Sequence, residues 1–130
     1  MNRFIKNSSV LIIDDEEEIR KLLKNIFEEE GAKVELAKSG SEGFSKLMNT
    51  HFDIVLIDLM MPQMDGFEAI RAIRQIDPII PIIIITGYAT QDNIKKCLEL
   101  GANDYFSKPF DLQHIVRRAN ELIEARLESN

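Results

Sequence analysis

Ile54-Val55-Leu56-Ile57 is an unbroken apolar run, three of its residues β-branched, that stops abruptly at Asp58. Four residues are too few for a helix. With no polar residue alternating along it, the run reads as a strand covered on both faces, as in a parallel sheet flanked by helices. Val10-Leu11-Ile12-Ile13, which ends at Asp14-Asp15, and Ile82-Ile83-Ile84-Ile85, which ends at Thr86, share the pattern. Lys33-Val34-Glu35-Leu36-Ala37 and Asp104-Tyr105-Phe106-Ser107 mix polar with apolar residues, as strands at a sheet edge do.

Between the strands the apolar spacing becomes helical. Ile19, Leu22, Leu23, Ile26 and Phe27 recur at i, i+3, i+4, i+7 and i+8, and Leu112, Ile115, Val116, Ala119, Leu122 and Ile123 repeat the theme near the C-terminus. Ser39 with Glu42 suits a capping box, Asp111 suits an N-cap, and Gly31 and Gly101 follow helix ends. Five βα units account for nearly the whole chain. Right-handed crossovers place helices on both sides of the sheet, and the three most apolar strands belong in its interior. The expected fold is therefore α/β and flavodoxin-like: a (βα)5 three-layer sandwich on a five-stranded parallel sheet of order 2-1-3-4-5.

The chain has 130 residues, 45% of them hydrophobic and 29% charged, and 22 acidic against 16 basic side chains leave a net charge of -6. A single domain over residues 1–130, with a core at about 8–127, is expected, because a chain of this size buries roughly two-thirds of its unfolded surface. The acidic balance argues against direct nucleic-acid binding, which draws on clustered Lys and Arg. Cys97 is the single cysteine, so no internal disulfide can form. No apolar run approaches the ~20 residues of a membrane span, and no secretory segment is visible; the reading is cytoplasmic. After about residue 127 no room is left for an effector domain, which ordinarily needs at least ~50 residues, so the expectation is either a unit that acts alone or one cut from a longer protein.

The strand ends carry the chemistry. In a parallel sheet the C-terminal ends share one edge, so Asp14, Asp15, Asp58, Thr86 and Lys108 converge on one crevice. Three ionised carboxylates ~4 Å apart in an effective dielectric near 20 repel by on the order of 4 kcal/mol per pair. Lys108 offsets part of that, and a hard divalent cation with oxygen ligands, Mg²⁺ before all others, offsets the rest. Such a site suits attack by a carboxylate on a phosphoryl group, giving an aspartyl phosphate. Asp58 is the natural nucleophile, alone at the end of the central strand, with Asp14 and Asp15 free to hold metal. The Thr86 hydroxyl can donate to a phosphoryl oxygen in a charge-assisted bond of about 1.5–3 kcal/mol, drawing the loop from Gly87 to Thr90 inward. Lys108 precedes Pro109, and a cis bond there could aim the lysine into the crevice. Glu16, Glu17 and Glu18 read as acids favouring a helix N-terminus through the macrodipole. Asp65-Gly66 reads as a turn and helix start, and Met60, Met61 and Met64 as loop packing.

Five segments together resemble the receiver domain of bacterial two-component response regulators, the CheY-like family. They are Leu11-Ile12-Ile13-Asp14-Asp15, the run from Asp58-Leu59-Met60-Met61-Pro62 to Asp65-Gly66, Ile85-Thr86-Gly87-Tyr88, Gly101-Ala102, and Tyr105 through Lys108-Pro109-Phe110. The resemblance implies a phosphorylation-dependent signalling switch, not an enzyme beyond its own phosphorylation and dephosphorylation. Asp58 would accept a phosphoryl group from a sensor histidine kinase or histidine phosphotransfer protein. Mg²⁺ (or Mn²⁺) would be bound by Asp15, Asp58 and the main-chain carbonyl of Met60, with Asp14 acting through a metal-bound water. Thr86 and Tyr105 would be the switch pair, Tyr105 turning from an exposed to a buried position. The output face, formed by the fourth helix, fifth strand and fifth helix, would meet a downstream protein, a linked effector domain or a second copy in a phosphorylation-linked dimer. His51 and His114 have no metal-ligand spacing and no nucleophile partner, so the donor histidine belongs to another protein.

A Mg²⁺-dependent phosphohydrolase of the haloacid dehalogenase type also uses a strand-end aspartate. It needs a second aspartate two positions later, where this chain has Met60. A nucleotide or flavin module would need a glycine-rich first turn, and Asp14-Asp15-Glu16 stands there instead. Met60 and Tyr88 are expected to flank the phosphoryl group and obstruct an attacking water, prolonging the phosphorylated state.

Overall fold

The computed structural model describes residues 2–61, 64–87 and 89–129. Five βα units follow one another: β1 (Ser9–Ile13), α1 (Glu17–Glu29), β2 (Lys33–Ala37), α2 (Gly40–Asn49), β3 (Ile54–Asp58), α3 (Gly66–Ile76), β4 (Ile82–Thr86), α4 (Gln91–Glu99), β5 (Asp104–Ser107) and α5 (Leu112–Ser129). The strands form one parallel sheet in the order β2-β1-β3-β4-β5, as the apolar content of the runs predicts.

The sheet is apolar along its centre because both of its faces are covered. Leu11, Ile13, Val55, Ile57, Ile82 and Ile84 point to the side of Leu47, Ile70, Ile73 and Cys97. The alternate residues Val10, Ile12, Ile54, Leu56, Ile83 and Ile85 point to the side of Leu23, Phe27, Ile115 and Ala119. That is the period-two geometry of a strand with two buried faces. At ~25 cal/mol per Å², each fully buried Ile or Leu contributes about 1.5–3 kcal/mol, so these two layers dominate the favourable side of folding.

Local chemistry sets the boundaries. Ser39 accepts from Glu42 N–H at the start of α2, Asp65 from Phe67 N–H at the start of α3, and Asp111 from Gln113 N–H before α5. Gly31 and Gly101, at φ +89° and +115°, take the left-handed conformation that ends α1 and α4. Where methionine-rich loop packing is expected, Met60–Met61 pairs antiparallel with Met64–Asp65 in a short ribbon. Gly66 closes that ribbon onto β3: a Cβ there would lie 2.2 Å from the Leu59 carbonyl oxygen. Pro62, Gln63 and Tyr88 lie outside the described residues.

A further anchor lies near the N-terminus. Ile5 is fully buried in the α1/α5 layer. Asn120 on α5 accepts from Phe4 N–H at 2.7 Å and from Ile5 N–H at 3.2 Å, stitching residues 116 and 115 positions apart.

Candidate functional site

All five strand-end residues meet at the C-terminal edge of the sheet. Asp14 leaves β1 held by its own N–H, which donates to Ala37 O at 3.1 Å, and by Arg20, which donates to its carbonyl at 2.6 Å. Its Oδ1 accepts from Glu16 N–H at 2.8 Å. Asp58 is the last residue of β3, in register beside Ile85 of β4. Its Oδ1 accepts from Met60 N–H at 3.0 Å and its Oδ2 from Lys108 Nζ at 3.1 Å. Lys108 arrives from beyond β5, where its peptide bond to Pro109 is cis. Its ammonium also lies 3.1 Å from Asp14 Oδ2 and 2.7 Å from Glu16 Oε1. Asp15 is exposed at the rim.

Carboxylate oxygens of Asp14, Asp15, Glu16 and Asp58 all lie within 4.8 Å of one another, facing one ammonium. Burial pushes the Asp14 carboxyl up to about 6; the nearby Asp58 charge adds to this, while the Glu16 N–H and Lys108 oppose it. Burial likewise raises Asp58 above the ordinary carboxylate range, against the Met60 N–H and Lys108. Lys108 moves the other way from what its own burial dictates: the bond to Glu16 and the charges of Asp14 and Asp58 hold it firmly protonated. Asp14 Oδ2 is fully buried, and among the described residues its one polar partner is the shared Lys108 ammonium. A surplus of negative charge, several carboxylates sharing one ammonium and an all-oxygen donor set fit a hard cation, Mg²⁺ in particular.

Thr86 closes β4 almost completely buried, and its carbonyl accepts from Lys108 N–H at 2.7 Å. Residues 10–120, which contain this whole constellation, match the response regulator receiver domain. The chain belongs to that family. Receiver domains are phosphorylation-dependent signalling switches rather than dedicated enzymes. Regulatory protein AtoC of Escherichia coli (strain K12) is 36% identical over 122 residues, covering 92% of this chain and 26% of AtoC. Transcriptional regulatory protein SrrA of Staphylococcus aureus is 35% identical over 117 residues, covering 90% of this chain and 48% of SrrA. The chain thus spans about a quarter of one relative and about half of the other. A CheY-like receiver domain protein from Methanospirillum hungatei JF-1 superposes with a TM-score of 0.92 at 30% identity, covering 96% of this chain and 100% of the other. Among the described residues no helix is long and apolar enough to cross a membrane.

Within this receiver domain, Tyr105 sits on β5 in register with Ile84, half-buried and packed against the core layer that contains Cys97. The Met60 side chain is half-exposed, while its N–H is spent on Asp58. Tyr88, expected beside it, lies outside the described residues. Two participants are absent from the expected set. Glu16, read as a helix-dipole acid, pairs with Lys108, and Arg20 clamps the Asp14 carbonyl. The only sequence signal for Glu16 is its place directly after the acidic pair.

Proposed function

We propose that this receiver domain accepts a phosphoryl group on Asp58 and relays the event through Thr86 and Tyr105. The observation that carries the reading is the Asp58 carboxylate itself, buried at a strand end and yet within 3.1 Å of the Lys108 ammonium. Asp58 is the nucleophile: an oxygen attacks phosphorus, the donor's leaving group departs with the bonding pair, and Lys108 meets the charge of the phosphoryl oxygens. Asp14, Asp15, Asp58 and the main-chain carbonyl of Met60 would hold Mg²⁺, which when bound supplies positive charge that offsets the crowding of donor and carboxylates. Thr86 donates to a phosphoryl oxygen and the Tyr105 ring follows it inward. A bond of about 1.5–3 kcal/mol suffices for roughly a tenfold to hundredfold population shift.

The donor in this reading is a phosphohistidine on a sensor kinase or phosphotransfer protein, and the receiver of the signal is a protein surface or a linked effector domain. Incubation with Mg²⁺ and acetyl phosphate, read by intact mass, tests the acceptor. Wild type should gain one phosphoryl group and Asp58→Ala none; continuous turnover of phosphate esters would favour a phosphohydrolase instead.

A further inference from the structure

The closest partner of the Lys108 ammonium is not Asp58. Its Nζ lies 2.7 Å from Glu16 Oε1, against 3.1 Å from both Asp14 Oδ2 and Asp58 Oδ2. Glu16 is the N-cap of α1, where a side chain ordinarily turns back to accept from a first-turn N–H, and it makes no such bond. The carboxylate reaches instead to a residue 92 positions further along the chain. An ammonium offers three N–H donors. Three carboxylates already surround it. A phosphoryl group on Asp58 brings further acceptor oxygens and puts about 1.5–2 negative charges in place of the carboxylate's one beside the same cation. Asp14 and Asp58 are buried and fixed by main-chain N–H groups, whereas Glu16 is half-exposed and can swing into water.

We propose that Glu16 is a positioning residue that holds Lys108 in the unphosphorylated state and competes with the phosphoryl group for it, restraining phosphorylation. The inference rests on Asp58 being the acceptor. Glu16→Gln keeps the length of the side chain but removes the charge that binds Lys108. Glu17→Gln is the matched control: it makes the same charge change one residue on, where the partner is Lys21 at 3.1 Å on the surface of α1.

The test measures the affinity of the whole chain for beryllofluoride in Mg²⁺, by calorimetry, together with the initial rate of labelling by acetyl phosphate. Loss of a half-exposed ion pair predicts affinity and rate about 2–5-fold higher in Glu16→Gln, with Glu17→Gln indistinguishable from wild type. In the metal-free protein, nitrogen-15 NMR should show the Lys108 ammonium hydrogens exchanging at least about threefold faster in Glu16→Gln, as one of their acceptors is lost. A Glu16→Gln protein that binds and labels like wild type or worse, or a Glu17→Gln protein that matches it, overturns the proposal while leaving the acceptor reading intact. A wild-type protein that takes up no beryllofluoride sinks both.

Discussion

Asp14→Asn is expected to stabilise the metal-free protein at neutral pH, although it removes a charged partner of Lys108. The Asp14 carboxyl stands at about 6 in the folded chain against an ordinary 3.8. A carboxyl whose folded value is raised binds its proton more tightly when folded. Its contribution is therefore most favourable below the unfolded value and is lost as pH rises through the folded one. A difference of roughly two units corresponds to about 3 kcal/mol of destabilisation above pH ~6. Asn retains an oxygen for the Glu16 N–H but gives up the 3.1 Å charge contact with Lys108. That attraction is already contained in the value of about 6, so a gain of about 2–3 kcal/mol is expected. Urea unfolding followed by circular dichroism, with a chelator present, should show that gain at about pH 7.5 and little of it at about pH 4. Millimolar Mg²⁺ should then stabilise wild type more than the variant, because a ligand that binds only the folded state adds stability by mass action. An Asn variant no more stable than wild type at about pH 7.5, or equally favoured at both pH values, would refute the reasoning.

Asn120→Ala leaves the N–H groups of Phe4 and Ile5 without their acceptor and should cost about 1–3 kcal/mol in chemical unfolding, with faster amide exchange in residues 4–8. Thr86→Ala should still label on Asp58 but lose the hydroxyl donor, so that the ring signals of Tyr105 in NMR no longer move on phosphorylation. Met60→Asn combined with Tyr88→Glu should shorten the phosphorylated lifetime by giving an attacking water polar partners; decay of labelled protein no faster than wild type would count against shielding by these side chains.

The sheet was legible because its three inner strands are buried on both faces, which turns each into an apolar run that ends at a polar residue. The same stops marked the site, since Asp14, Asp58 and Thr86 stand where β1, β3 and β4 run out. The ribbon of Met60–Met61 and Met64–Asp65 is too short for any periodicity to show. Ile5 and Asn120 meet only through folding, and neither an isolated apolar residue nor an asparagine in a helix signals a contact across 115 positions. Glu16 was obscured by its company: the macrodipole explains Glu16, Glu17 and Glu18 equally well, and only the position of Lys108 singles one out.

Borohydride reduction of the protein after incubation with acetyl phosphate converts an aspartyl phosphate to homoserine, which peptide mass spectrometry locates. Homoserine at position 58 alone, formed with Mg²⁺ and abolished by a chelator, is the expected result. Homoserine at another carboxylate, or an equal yield at position 58 without a divalent cation, would contradict a metal-assisted acceptor at the end of β3.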